Sequence, residues 1–247
     1  KEKIETPFKT IWKRLRKNKL AMVGLFILVA MVLVCVFGPF FTQDPNKVNY
    51  TDGFLKPSSK YWFGTDTLGR DIFARTLSAG RISLFVGIAS VIIQVVIGSI
   101  LGAVAGYYGG IVDTIIMRIV DIFMSIPSLP LLIVLAAILS DLGIRPERRI
   151  FVVMAVIGLL NWPGLCRMVR GQILSLREQE YMEAAEALGL TDSRKMFKHL
   201  LPNTIPVIIV SATLSLGGAI LSESTLSFLG LGVQPPTASW EIGRAHV

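Results

Sequence analysis

Residues 20–41 read LAMVGLFILVAMVLVCVFGPFF, a stretch of 22 residues that contains no charged side chain. A helix needs about 20 mostly apolar residues to cross the hydrocarbon core of a bilayer. The stretch is too long for the apolar region of a secretory signal, and no small-x-small cleavage site follows it. It therefore predicts a retained first transmembrane helix, and with it a membrane protein.

The positive charge of the chain is concentrated on one side of this helix. Residues 1–19 hold eight of the 25 Lys and Arg residues and two Glu. A basic block directly before an apolar span is typical of the cytoplasmic side of a membrane protein, so this N-terminus is predicted to be cytoplasmic. A basic tail that binds anionic lipid or RNA is the other interpretation of the net charge of +8. The position beside a span favours the first interpretation, and no nucleic-acid partner is expected.

Apolar runs in the rest of the chain predict four more membrane helices, which makes five in all. They cover residues 82–106, 111–139, 150–168 and 205–228. The mixed segment 42–81 falls outside the cytoplasm by parity, and its Trp and Tyr residues favour a position against the outer membrane face. Residues 229–240 fall outside by the same count.

The second predicted helix carries glycines at every fourth position. Gly98, Gly102 and Gly106 share one helix face, and small residues in this spacing let a neighbouring helix approach closely in a membrane. The neighbour is either another helix of this chain or a helix of a partner permease.

The third predicted helix carries charges and prolines. Arg118 and Asp121 are three residues apart and are expected to pair on one face, as a structural ion pair or as part of a proton relay. Pro127 and Pro130 are expected to kink the helix.

The stretch 177–203 reads REQEYMEAAEALGLTDSRKMFKHLLPN and is too polar to span a membrane. It predicts a helix over 178–188, a glycine cap at Gly189, and a second short helix that ends near residue 201, before Pro202. Two interpretations remain: a docking surface, or an amphipathic hairpin at the membrane interface. As a docking surface it would offer small residues for close approach, an apolar face and a charged rim. These are Ala184 and Ala185, then Met196, Phe197 and Leu200, then Arg194, Lys195 and Lys198.

The spacing of Glu183-Ala184-Ala185, Gly189 and Leu201-Pro202 resembles the EAA motif of ABC importer permeases. In that family the loop, here 170–203, inserts into a groove of the cytoplasmic ATPase and transmits its closure to the membrane helices. The resemblance implies the following ATPase-coupling residues: Glu183, Ala184, Ala185, Gly189, Arg194, Phe197, His199, Leu201 and Pro202.

Two further blocks are similar to the C-type permease subunit of peptide/nickel ABC importers. They are GTDTLGRD at 64–71 and LSFLGLG at 226–232, followed by Pro235-Pro236. The resemblance implies an all-α type I importer permease fold with a core over 82–228, in a bacterial inner membrane. It also implies a B-type permease partner, two ATP-binding subunits, an extracytoplasmic substrate-binding protein and contact with membrane lipid. ATP and Mg²⁺ would be bound by the partner subunits, so this chain is expected to be neither an enzyme nor a cofactor carrier.

The family pattern continues with Gly after the residue matching Trp240 and with a sixth membrane helix. This sequence instead ends in EIGRAHV at 241–247, which we interpret as a non-native tail, with a sixth apolar stretch expected in the intact locus.

Other functions are less well supported by the residues. An ion-coupled secondary transporter would normally carry internal repeats and charges at span midplanes, and no repeat is visible. A membrane enzyme would need a catalytic or nucleotide motif, and no GxxxxGK[ST] is present. Cys35 and Cys166 suggest core packing. Glu223, the one charge in the fifth span, either lines the translocation path for a cationic peptide terminus or holds a neighbouring helix by a hydrogen bond. Dipeptides, oligopeptides, nickel and glutathione stay open as substrates.

Overall fold

The computed structural model describes residues 19–141, 146–233 and 236–244. In these ranges the chain is helical with turns, and its one β contact is an isolated bridge between Thr65 and Asp71. The predicted basic block lies outside the described residues except for Lys19. Pro235 of the Pro235-Pro236 pair and residues 245–247 of the predicted non-native tail also lie outside them. The chain divides into two compact units, Lys1–Arg81 and Ile82–Val247.

The first unit contains the predicted first membrane helix, α1 (Lys19–Phe37). Cys35 is its one buried residue, and an apolar helix exposed on nearly all sides suits contact with lipid. A 3₁₀ turn (Gly38–Phe40) ends it. The Arg81 side chain donates hydrogen bonds to the carbonyls of Cys35 and Val36, which satisfies carbonyl groups at the helix end.

A second long helix, α2 (Ile72–Tyr108), follows the polar segment. It begins ten residues before residue 82, where the membrane span is predicted to start, so the helix extends beyond the predicted span. The reason is local: the Asp71 carboxylate accepts a hydrogen bond from the Phe73 N–H at 2.9 Å, as a helix-capping side chain does. The apolar pattern marks where the helix becomes lipid-compatible, and the helix itself begins at the cap.

The remaining helices are α3 (Gly110–Ser125), α4 (Ser128–Asp141), α5 (Pro146–Arg177), α6 (Glu180–Ala187), α7 (Asp192–Arg194) and α8 (Leu201–Phe228). A π-helical turn (Lys195–Leu200) joins α7 to α8, and a 3₁₀ turn (Trp240–Arg244) follows later. Four helical segments of the described chain are long and apolar enough to cross a membrane, or five if α3 and α4 are counted together as one crossing.

The third predicted helix is broken rather than kinked. α3 and α4 meet at an angle of 85°, and Ile126 between them is extended, with φ −94° and ψ 127°. A residue before proline avoids helical geometry, so Pro127 ends α3. Pro130 falls in the first turn of α4, where proline is tolerated.

Candidate functional site

The loop between α5 and α8 begins later than predicted, because α5 continues to Arg177. α6 then ends in the glycine cap that the sequence predicts. Gly189 has φ +69°, and its N–H donates to the Glu186 carbonyl at 2.8 Å. The Leu190 N–H donates to the Ala185 carbonyl at 3.1 Å. These are the two bonds of a Schellman motif, which requires a left-handed residue at the position of Gly189.

The second half of the loop contradicts the predicted proline stop. Pro202 lies in the first turn of α8, and helical backbone continues into it through the π turn. There the Leu201 N–H donates to the carbonyl of Met196, five residues back. Proline has no N–H, and its ring clashes with the carbonyl four residues earlier in a regular α-helix. The wider π turn changes the register just before this position, so the chain passes Pro202 without ending the helix.

The apolar side of the loop is turned into the bundle. Met182, Met196 and Leu200 are buried in one cluster. Their partners there include Leu165, Val169 and Ile173 of α5. Met196 and Leu200 were predicted on the docking face, and that assignment was wrong because they form the base that fixes the loop to α5.

The opposite side of the loop is open. Glu183, Ala184, Gly189, Arg194, Phe197 and Pro202 are exposed, His199 and Leu201 are half-buried, and Ala185 is buried. Leu188 is 79% exposed, and the sequence reasoning missed it. Its position directly before the cap glycine could have identified it, since α6 ends there and the described residues leave most of the side chain uncovered.

A polar contact joins the loop to the end of α2. The Tyr107 hydroxyl donates to Asp192 Oδ1 at 2.6 Å, and Lys195 Nζ lies 3.1 Å from the same oxygen. The Arg177 guanidinium donates to the Tyr107 carbonyl at 2.9 Å. None of these contacts was predicted, because Tyr107 and Asp192 are 85 residues apart and no local pattern connects them.

Ion pairs join α3 to α5. Asp113 accepts two hydrogen bonds from the Arg170 guanidinium, and Asp121 pairs with Arg167 at 2.6 Å. The predicted pair of Asp121 with Arg118 was therefore wrong. Arg167 of the neighbouring helix binds Asp121 through one hydrogen bond, whereas the two bonds between Arg170 and Asp113 form the kind of arginine–carboxylate pair that is among the stronger polar contacts.

The glycines of α2 lie against α5. A Cβ placed on Gly98, Gly102 or Gly106 would come within 3.0, 2.5 and 2.8 Å of Leu165 Cβ, the Cys166 carbonyl oxygen and Ile173 Cβ, respectively. These are contacts inside this chain, so the spacing of the glycines is used for packing α2 on α5.

Glu223 of α8 is completely buried. Its carboxylate accepts hydrogen bonds from the Ser83 hydroxyl at 2.8 Å and the Ser227 hydroxyl at 2.7 Å. Those hydroxyls in turn accept the Trp240 N–H at 3.2 Å and the Val233 N–H at 3.0 Å. In this conformation Glu223 joins α2, α8 and the segment after α8. Its predicted place on the translocation path stays a prediction.

The GTDTLGRD block folds around Asp66 in the first unit. The carboxylate, 1% exposed, accepts hydrogen bonds from the Leu68 and Arg70 N–H groups at 2.9 Å and from Arg70 Nε at 2.6 Å. Burial alone would raise the pKa of Asp66, but the hydrogen bonds from Arg70 and Leu68 outweigh it and hold the pKa below its usual value. The block is thus a turn built on one ionised carboxylate.

Comparison with known proteins identifies the arrangement. A family model described as "Binding-protein-dependent transport system inner membrane component" matches residues 94–244, which include α5, the loop and α8. The chain belongs to this family. A second model, the N-terminal TM domain of oligopeptide transport permease C, matches residues 6–57 of the permease.

Curated relatives cover almost all of the permease. It is 43% identical over 244 residues to the oligopeptide transport system permease protein OppC of Bacillus subtilis (strain 168), covering 97% of this chain and 78% of that protein. It is 47% identical over 234 residues to the dipeptide transport system permease protein DppC of the same organism, covering 94% and 70%. It is 37% identical over 241 residues to the glutathione transport system permease protein GsiD of Shigella dysenteriae serotype 1 (strain Sd197), covering 97% and 77%.

The predicted fold class and family are confirmed: the chain is an all-α, multi-pass transmembrane permease component of an ABC importer. In the described residues no group of three His, Cys, Asp or Glu side chains is placed to hold a metal ion.

Proposed function

We propose that the loop between α5 and α8 is the surface through which an ATPase subunit drives this permease. The observation that carries the proposal is the division of the loop into two sides. Met182, Met196 and Leu200 fix one side to the bundle, while Leu188 and Phe197, 79% and 49% exposed, lie open on the other. Exposed large apolar side chains on a rigid base are typical of a protein–protein contact.

Charge placement also supports this proposal. Glu183 and Arg194 are exposed on the loop, where they can form the polar rim that surrounds an apolar contact. The sequence match to the EAA motif covers the same residues. An amphipathic hairpin lying in the membrane interface would instead turn its apolar residues outward to lipid, whereas Met196 and Leu200 point into the bundle.

We further propose the assembly in which the loop acts. The permease forms half of the translocation path with a B-type permease, beneath a substrate-binding protein and above two ATP-binding subunits. Those subunits bind ATP and Mg²⁺, and the N-terminus of the permease is cytoplasmic. Because the relatives named above transport oligopeptides, dipeptides and glutathione, the substrate class is peptides. The permease then has two conformations, and ATP bound by the partner subunits shifts the balance between them, which gives alternating access.

The test uses the complete importer in proteoliposomes, with ATPase retention on the purified permease and peptide uptake as measurements. Gly189→Val puts a β-branched residue at φ +69°, and Leu188→Asp removes the exposed apolar contact. Both are expected to lower ATPase retention and uptake at least tenfold, with unchanged membrane insertion.

Gly110→Val is the matched control, because Gly110 also has a positive φ, +53°, and open space around it, but it lies outside the loop. Normal retention and uptake for both loop variants would refute the proposal. An equal loss of retention and uptake for Gly110→Val would show that the effect comes from general backbone strain, and this would also refute the proposal.

A further inference from the structure

We infer that Tyr107 is a positioning residue for the loop: its hydroxyl fixes the segment after the Gly189 bend to the end of α2, so that movement of the loop reaches α2. The inference rests on the proposed function, and it assigns a role to a residue outside the EAA motif.

The geometry singles out the Tyr107 hydroxyl. Tyr107 as a residue is half-buried at the last turn of α2, and its hydroxyl donates an exposed hydrogen bond to Asp192 Oδ1 at 2.6 Å. Lys195 Nζ lies 3.1 Å from the same carboxylate oxygen and 5.8 Å from the centroid of the Tyr107 ring. One tyrosine thus contacts both charged groups at the start of the second half of the loop.

The end of α2 is held from its other side too. The Arg177 guanidinium, at the end of α5, donates to the Tyr107 carbonyl at 2.9 Å, and a cation at a helix C-terminus is favourable. Tyr107 is therefore held at two points: Arg177, just before α6, binds its carbonyl, and Asp192, just after α6, binds its hydroxyl. Such a fixed point can pass on a displacement of α6.

The hydroxyl bond complements the apolar base of the loop. Met182, Met196 and Leu200 fix the parts of the loop nearest the bundle. Asp192 is exposed and follows the open Leu188-Gly189 corner by three residues, so the bond to Tyr107 reaches the part of the loop on which a partner would press. A neutral hydroxyl donating to a carboxylate is stronger than an average neutral hydrogen bond, and after its loss Lys195 is the remaining partner of the Asp192 carboxylate among the described residues.

Tyr107→Phe tests the inference, since it keeps the ring beside Lys195 and removes the one hydroxyl. Tyr108→Phe is a close control: the same change on the next residue, whose ring packs against Tyr107 with centroids 5.1 Å apart and whose side chain is 52% exposed. Both variants are placed in the complete importer.

Two measurements are made. Hydrogen–deuterium exchange of residues 188–198 is expected to rise about fivefold in Tyr107→Phe, as for loss of one hydrogen bond, and to stay unchanged in Tyr108→Phe. The peptide transported per ATP hydrolysed is expected to fall at least threefold in Tyr107→Phe, with ATPase retention unchanged. Asp192→Asn, which keeps a carbonyl oxygen to accept the Tyr107 hydroxyl, is expected to retain more of this ratio than Asp192→Ala.

The outcomes separate the two proposals. Unchanged exchange in Tyr107→Phe, or faster exchange with an unchanged transport ratio, overturns the positioning role and leaves the proposed function intact. If ATPase retention does not change in the Gly189 and Leu188 variants, the proposed function fails. A faster exchange in Tyr107→Phe would then show that Tyr107 fixes the loop without a role in coupling, and the inference would fail as well.

Discussion

Gly102 of α2 lies directly against Cys166 of α5: a Cβ on Gly102 would be 2.5 Å from the carbonyl oxygen of Cys166 and 2.9 Å from Val169 Cβ. Real side-chain carbons do not approach a backbone oxygen so closely. The two helices can therefore keep this separation only while residue 102 has no side chain, and close backbone packing is a principal source of helix association in membranes.

Gly102→Ala is expected to destabilise the permease by about 1–3 kcal/mol, the usual cost of overpacking a filled core. Thermal unfolding in detergent, followed by tryptophan fluorescence, measures the effect. Gly171→Ala on α5 is the control, because nothing lies within 4 Å of its added Cβ; alanine favours a helix interior, so this variant should be neutral or slightly more stable. A Gly102→Ala protein as stable as the Gly171→Ala protein would contradict the packing argument.

The buried carboxylate of Glu223 leads to a prediction about hydrogen-bond polarity. Both serine hydroxyls that donate to it, from Ser83 and Ser227, already accept a backbone N–H. In Glu223→Gln one hydroxyl would face an NH₂ group, with no acceptor for its own proton in this network. We expect a loss of about 1–3 kcal/mol, the cost of one unsatisfied buried group, although the side chain keeps its size.

Equilibrium unfolding of Glu223→Gln in detergent provides the measurement. Thr225→Ala serves as the control, since the Thr225 hydroxyl donates locally to the Leu221 carbonyl on the same helix and should cost less. Equal stability of the Glu223→Gln protein and the wild type would show that the network tolerates a donor and would remove the structural role argued here.

Asp66 gives the first unit a defined pH dependence. Its pKa in the folded chain lies below the usual value of 3.8, so the unfolded chain binds a proton more readily than the folded chain does. The stabilisation is therefore fully present above pH 3.8 and is lost as the pH falls through the lower, folded value. Between pH 5 and pH 8 the contribution of Asp66 to stability is expected to stay constant.

Asp66→Asn should remove this acid-dependent stabilisation and leave Arg70, 16% exposed, without its carboxylate. The expected loss at neutral pH is about 3 kcal/mol, as when one partner of a buried pair is removed. Fluorescence of Trp62, whose ring centroid is 4.9 Å from that of Phe73, reports on this segment once the other tryptophans are replaced. Asp44→Asn, at an exposed residue, is the control, and an equal change in both variants would rule out a special role for Asp66.

The sequence predicted the features that local physics decides. An uninterrupted apolar run is sufficient to place α1, and a glycine after a good helix former is sufficient to place the cap at Gly189. The positions of these two elements are decided by residues close together in the sequence and not by distant ones.

Features that depend on neighbouring helices were missed or assigned wrongly. Spacing alone pairs Asp121 with Arg118, yet Arg167, 46 residues away, binds it. The helix ends before Pro127 but continues through Pro202. The difference lies in the turns around each proline, so the proline alone does not predict whether a helix ends or continues there. The same holds for Tyr107, whose partner comes from another part of the chain.

Membrane topology can be tested with cysteines, because the two native ones are buried: Cys35 is 4% and Cys166 0% exposed. We expect Lys56→Cys to react with a membrane-impermeant maleimide in intact cells, and Leu188→Cys to react only after the membrane is opened. Lys56 is a better position than Ser58, whose hydroxyl accepts the Tyr61 N–H at 3.2 Å and would be lost on substitution.

The pair of positions also decides how the bent pair of helices is used. Between residues 56 and 188 the chain passes through α2, the α3–α4 pair and α5. If the pair, bent by 85°, makes one crossing, three crossings put the two positions on opposite sides, as we expect. If α3 and α4 enter and leave on the same face, two crossings put both positions on one side. Reaction of both cysteines in intact cells would therefore refute the five-helix topology together with a cytoplasmic loop. Reaction of Leu188→Cys alone would keep the number of crossings and reverse the orientation predicted from the basic N-terminus.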